Sequence, residues 1–235
     1  MLTAILFDLD GTIVNTDPIH YQAWREMLLS YSIEIDETFY KSRISGRLNP
    51  EIVKDILPQL SVAEGEKFAD DKEALFRERA SHLRPLEGFS ELLAWTQKHQ
   101  IKRALVTNAP RLNAEFMLEV LAIKDVFHTI VLADDCIAGK PDPEPYKVAL
   151  QKLGITAEQA IALEDSPSGI RAAVAANIPT IGIASTHDPE RLQEEGILMA
   201  IPDFTDLRLW TLLNSLLEQE VAAIATRAAG IASSL

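Results

Sequence analysis

Ala4-Ile5-Leu6-Phe7-Asp8-Leu9-Asp10-Gly11-Thr12 is a short apolar run that ends abruptly in two aspartates and a glycine. Four apolar residues with no polar alternation read as a strand covered on both faces. Two carboxylates two positions apart on an extended chain would point to opposite faces. The turn that Gly11 permits can bring both toward one site. A calcium-binding loop starting at Asp8 would place Gly at 13 and Glu at 19, and both positions are Ile.

Further runs of the same kind lie at Arg103–Val106, Ile130–Ala133, Ile161–Leu163 and Thr180–Ile183. Helix-length segments separate them: Gly88–Gln100, Leu112–Ala122, Pro143–Leu153 and Ser166–Ala176. Alternating strand and helix predicts an α/β domain with a doubly wound parallel sheet, Rossmann-like, whose ligands bind at the carboxyl ends of the strands. From about Asp17 to Leu83 the alternation stops. Ile19, Ala23, Trp24, Met27 and Leu28 share one helical face, and Val62–Leu83 reads as a long charged helix with Phe68, Leu75 and Phe76 on its apolar side. An all-helical block inside an α/β domain predicts an inserted cap over 16–84, with 1–15 and 85–235 forming the core. Val221–Leu235, Ala-rich and weakly patterned, reads as a helix extension or a segment that packs on a partner.

Composition bounds the function. The 235 residues carry 22 basic and 35 acidic side chains, a net charge of −13, which disfavours nucleic acid and anionic membranes as partners. The one cysteine, Cys136, excludes an internal disulfide and a cysteine-built zinc site. No stretch approaches the length of a membrane span, and the first residues lack the basic start and long apolar run of a secretory signal. A cytoplasmic location is the expectation.

Three more constellations fall at predicted strand ends. Val106-Thr107-Asn108 offers a hydroxyl and backbone N–H groups that can hold phosphate oxygens. Gly139-Lys140-Pro141-Asp142-Pro143 fixes a lysine able to offset the charge of phosphate and aspartate together. Glu164-Asp165-Ser166 places two acids before a helix start, suited to a hard cation that prefers oxygen ligands. A carboxylate beside such a cation can attack phosphorus, and a second carboxyl group can protonate the leaving oxygen. No GxxxxGK[ST], no GxGxxG after the first strand and no GxSxG is present.

This ordered set resembles the haloacid dehalogenase superfamily, over nearly the whole chain. The resemblance implies Asp8 as nucleophile, Asp10 as general acid/base, Thr107 as a phosphate-oxygen donor with Asn108 beside it, and Lys140 as charge stabiliser. It also implies Mg²⁺ held by Asp8, the Asp10 carbonyl and Asp165, with Glu164 in support. The helical block looks like the family's C1 cap, hinged at Val14–Thr16 and Arg84–Glu87. Within the superfamily, Asp17–Trp24 with His20, Ser45-Gly46-Arg47, and Lys72 four residues before Phe76 are similar to the substrate-facing cap elements of β-phosphoglucomutases and sugar-phosphate phosphatases. Gly46 before Arg47 suggests that something approaches the backbone closely there. Thr12 and Val106–Arg111 look more like the phosphatases than the mutases. The expectation is a phosphatase acting on a small phosphorylated metabolite such as a sugar or polyol phosphate, as a monomer or weak homodimer, with a phosphosugar mutase as the alternative. An inactive binding scaffold is disfavoured because all the acids are present.

Overall fold

The computed structural model describes residues 1–218; Val221–Leu235 lies outside them. Six parallel strands form one sheet: β1 (Ala4–Phe7), β2 (Lys102–Thr107), β3 (Thr129–Leu132), β4 (Ala160–Glu164), β5 (Thr180–Ile183) and β6 (Met199–Ile201), in the order β3-β2-β1-β4-β5-β6. Five match the apolar runs of the sequence. The sixth is three residues long at the sheet edge and two of them are only half-buried, too short a run to give a pattern.

The strand order reverses at β1, which pairs with β2 on one side and β4 on the other. Phe7 sits level with Leu105 and Leu163, so the residues after all three strands emerge together at this switch point. Side chains of β1 alternate between two cores. Ile5 and Phe7 pack with Phe89 and Leu92 of α5 (Phe89–Lys98) and Met117 of α6 (Arg111–Val120). Ala4 and Leu6 pack with Tyr146 and Ala149 of α7 (Glu144–Leu153) and Ala172 and Ala173 of α8 (Pro167–Ala175). A short α9 (Pro189–Gln193) covers β5 and β6, and a helix over 207–218 completes the first layer.

Between β1 and α5 the chain is helical: α1 (Asp17–Leu29), α2 (Glu37–Arg43), α3 (Asn49–Ile56) and α4 (Val62–Arg79). They enclose a core of their own around Trp24, Leu28, Tyr40, Ile52 and Phe68. α4 ends at Arg79, short of Leu83, and begins with a reciprocal cap between Ser61 and Glu64. Its first half contributes Phe68 to the helical core, whereas Phe76 packs in the core around the sheet. One helix thus ties the insert to the α/β unit. No helix among the described residues is long and apolar enough to cross a membrane.

Candidate active site

A cavity of about 460 Å³ lies between the carboxyl ends of the strands and the helical insert. Asp8, Asp10, Thr107, Asn108, Lys140 and Asp165 line its floor, and His20, Arg47, Lys72 and Glu73 its upper wall. Glu164 stands behind the floor, fully buried. The structure therefore gathers all ten residues singled out in the sequence around one space.

The floor is crowded with negative charge. Oxygens of Asp8, Glu164 and Asp165 lie within 4.8 Å of one another, and all three side chains are buried. Lys140 Nζ donates to Asp8 Oδ1 at 2.6 Å and to the Val106 carbonyl at 2.7 Å, and it lies 2.6 Å from Glu164 Oε1. Burial pushes the Asp8 carboxyl up to about 7, with the Lys140 ammonium pulling against it and Glu164 adding to the rise. Asp165 is likewise driven well above the carboxylate range by burial and by its acidic neighbours. Burial disfavours the Lys140 ammonium, yet Asp8 and Glu164 together hold its pKa above the ordinary lysine value. One ammonium among three buried carboxylates leaves the set short of positive charge. Among the described residues, Glu164 Oε2 also has no hydrogen-bond partner. An all-oxygen donor set with an orphaned acceptor fits a divalent cation.

Local backbone makes this convergence possible. Gly11 turns the chain with φ +79°, and a Cβ there would lie 2.0 Å from an Asp165 oxygen. Glycine at this position provides both the turn and the room for the second acid. Gly169, at the start of α8, gives Glu164 its room: a Cβ would fall 1.9 Å from Oε2. Ser166 caps α8 by accepting from Gly169 N–H, which leaves Asp165 free to face Asp8. Asp165 also accepts from Thr12 at 3.4 Å and from the Thr186 hydroxyl. The Tyr146 hydroxyl donates to Glu164 Oε1.

Asp10 differs from its neighbours. It is partly exposed to the cavity, accepts from Thr16 Oγ1 at 2.7 Å, and lies 3.7 Å from His20 Nε2. Thr107 is buried, its hydroxyl accepting from Ala109 N–H at 3.0 Å. Asn108 has a role its residue type did not announce. Its amide accepts from the Lys140 N–H and donates to the Lys140 carbonyl, both at 2.9 Å, so it pins the lysine backbone beside Asp8.

In the upper wall, the Lys72 ammonium lies 5.2 Å from the Trp24 ring centre, and Phe76 stacks on His20 at 4.0 Å. Gly46 lines the cavity, and among the described residues no atom lies within 4 Å of where its Cβ would be. Glycine is favoured there by φ +75°. Arg47 is exposed at the cavity mouth, its guanidinium on Asp55 Oδ2 at 2.9 Å and the Arg43 carbonyl at 2.7 Å. Glu73, Asn113, Tyr146 and Thr186 carry no motif, and the sequence reading passed over them.

Residues 5–183 match the family model described as haloacid dehalogenase-like hydrolase. The chain is 32% identical to validoxylamine A 7'-phosphate phosphatase of Streptomyces hygroscopicus subsp. limoneus, covering 88% of this chain and 97% of that one. It is 30% identical to phosphorylated carbohydrates phosphatase of Thermotoga maritima, covering 85% and 94%. Among solved structures, a β-phosphoglucomutase from Clostridium difficile superposes with a TM-score of 0.80 at 28% identity, covering 94% of this chain and 100% of that one.

Proposed function

The chain belongs to the haloacid dehalogenase-like hydrolase family, and on that premise we propose that it is a Mg²⁺-dependent phosphatase of sugar or polyol monophosphates. The observation that carries the reading is the meeting of Asp8, Asp10, Thr107, Lys140 and Asp165 on one cavity floor, each able to supply a different part of phosphoryl transfer.

Asp8 attacks phosphorus as the bond to the sugar oxygen breaks, and Asp10 gives its proton to that leaving oxygen. The aspartyl-phosphate is then hydrolysed. Asp10, now a carboxylate, takes a proton from water, the water oxygen attacks phosphorus, and the bond to Asp8 breaks to release phosphate. Lys140 balances the charge of Asp8 and of the arriving phosphoryl oxygens, held in place by Asn108. The Thr107 hydroxyl is placed to donate to a phosphoryl oxygen. Asp8, Asp165 and the Asp10 carbonyl, with Glu164 behind them, are the residues that would hold Mg²⁺, which neutralises the repulsion between carboxylate and phosphate when bound.

Residues 16–84 serve as the cap that admits the substrate and contacts its distal groups through His20, Arg47 and Lys72. The protein acts in the cytoplasm, as a monomer or weak homodimer. A phosphosugar mutase is the second reading, favoured by the close superposition on a β-phosphoglucomutase. The named phosphatase relatives, with Thr12 and Val106–Arg111, weigh toward hydrolysis. A panel of hexose, pentose and polyol monophosphates, assayed for phosphate release, tests the proposal. Release is expected for at least one of them with Mg²⁺ present, and none with chelator. Undiminished release in chelator, or no release from any ester, would overturn it.

A further inference from the structure

Asn113 is an anomaly of its helix. It lies in the first turn of α6 with only 1% of its surface exposed, and its side chain caps no backbone group. Asn is a weaker helix former than most residues, and a buried amide left unpaired is costly. Its partners lie 36 and 40 residues earlier in the chain, on α4. Asn113 Nδ2 donates to Glu73 Oε2 at 2.6 Å, and Asn113 Oδ1 accepts from Arg77 at 2.6 Å. Glu73 and Arg77 are four residues apart on one face of α4, a spacing that allows them to pair directly. They take Asn113 between them instead. Asn can donate to an anion and accept from a cation at once, which an ionised Asp or a Leu cannot reproduce.

The contact continues toward the reaction centre. Glu73 Oε1 accepts from Lys72 Nζ at 2.8 Å and from Asn49 of α3 at 2.6 Å. Lys72 Nζ stands 2.9 Å from His20 Nδ1. With the ammonium donating there, the ring proton is assigned to Nε2, which lies 3.7 Å from Asp10 Oδ1. A continuous line of polar contacts therefore runs from the α/β unit, through α4 and α1 of the insert, to the proposed acid/base. Among the described residues, the two bonds of Asn113 are the side-chain hydrogen bonds that join α4 to the α/β unit.

We propose that Asn113 is a positioning residue: it clasps α4 onto the α/β unit and, through Glu73, sets Lys72 and His20 against Asp10 and the leaving group. This rests on the phosphatase reading, since it assigns the line to proton delivery and substrate contact in that reaction. Asn113 does not touch the reacting atoms. Its effect depends on how much a given ester needs the insert in place.

The test compares two kinds of ester in the full-length, Mg²⁺-loaded protein. A hexose monophosphate needs its leaving oxygen protonated and its hydroxyls held. 4-Nitrophenyl phosphate needs neither, because its leaving group departs as a stable anion. Asn113→Ala is expected to lower kcat/KM for the hexose monophosphates of the panel by about 10- to 100-fold, as misplacement by about an ångström does. The same variant should change 4-nitrophenyl phosphate hydrolysis by less than about threefold. The double variant Asn113→Asp/Glu73→Gln reverses the polarity of the bond, keeps an acceptor for Arg77, and should recover much of the loss left by Asn113→Asp alone. Equal losses on both kinds of ester, or a double variant no better than Asn113→Asp, would reduce Asn113 to a packing role and overturn the inference. A wild-type protein that hydrolyses 4-nitrophenyl phosphate and no hexose monophosphate would equally remove the clasp's assigned purpose. Failure of the phosphatase reading shows separately, as a wild-type protein that releases phosphate from no ester.

Discussion

The floor and the upper wall of the cavity are both lined with charge, and they are built by opposite means. On the floor, backbone does the placing. Asp8, Asp165 and Thr107 stand at or just past the ends of adjacent parallel strands, at a register set by ladder hydrogen bonds. In the upper wall, side chains place one another. Lys72 is 2% exposed and held by Glu73 and His20, Glu73 is held by Asn49 and Asn113, and Asn113 by Arg77. Strand ends keep their geometry when one side chain is changed. A chain of paired side chains does not, because each member satisfies the next. Changes to the floor should therefore remove chemistry from an intact fold, whereas changes to the wall should loosen positioning and stability together.

The largest expected effect lies on the floor. Asp8→Asn keeps the size of the side chain, removes the nucleophile, and should lower turnover by about 10⁴- to 10⁶-fold. Asp10→Asn leaves Asp8 able to attack and should lower it by about 10²- to 10⁴-fold for esters with poor leaving groups. Both variants should melt cooperatively. A folded Asp8→Asn protein with near-normal turnover would remove the distinction between the two aspartates.

A smaller effect is expected in the wall, and it appears in stability. Burial opposes ionisation of Glu73, but Lys72, His20 and the hydrogen bonds from Asn49 and Lys72 hold its pKa down at about 2, against 4.5 when free. The folded value is the lower one, so the stabilisation is complete above about pH 4.5 and is lost as pH falls through about 2. It amounts to about 3 kcal/mol at about 1.4 kcal/mol for each pH unit. Urea unfolding between pH 6 and pH 2 should show the wild type losing about that much more stability than Glu73→Gln over the same range. Parallel profiles would mean that the Glu73 carboxylate is not held by its neighbours as the wall requires.

The same contrast explains what could be read from sequence. The floor announces itself because each part is local: an apolar run, then acids, a hydroxyl or a lysine within a few residues. Even so, the need for Gly169 was hidden, since it depends on where the Glu164 side chain turns after the strand has ended. His20 and Lys72 were found through resemblance, but what holds them was not. Glu73 and Asn113 are 40 residues apart on separate helices, and an acid on a charged helix looks like solvated surface until its partner is known. Tyr146, inside α7, reads as an ordinary core aromatic, and only the fold brings its hydroxyl to Glu164. Thr186, which also escaped, follows β5 with no motif around it. The sheet was legible except at its edge, where Met199–Ile201 is too short for periodicity to register.

Both walls must act together if water, and not a second sugar hydroxyl, attacks the aspartyl-phosphate. A hydrolase admits water after the first step; a mutase closes tightly enough to exclude it. The direct measurement is phosphorus NMR of one reaction containing Mg²⁺, β-glucose 1-phosphate, a catalytic amount of glucose 1,6-bisphosphate, and a second tube with the fastest ester of the panel. The account predicts that inorganic phosphate from the panel ester grows faster than glucose 6-phosphate appears from β-glucose 1-phosphate. Rapid formation of glucose 6-phosphate with little free phosphate would contradict it.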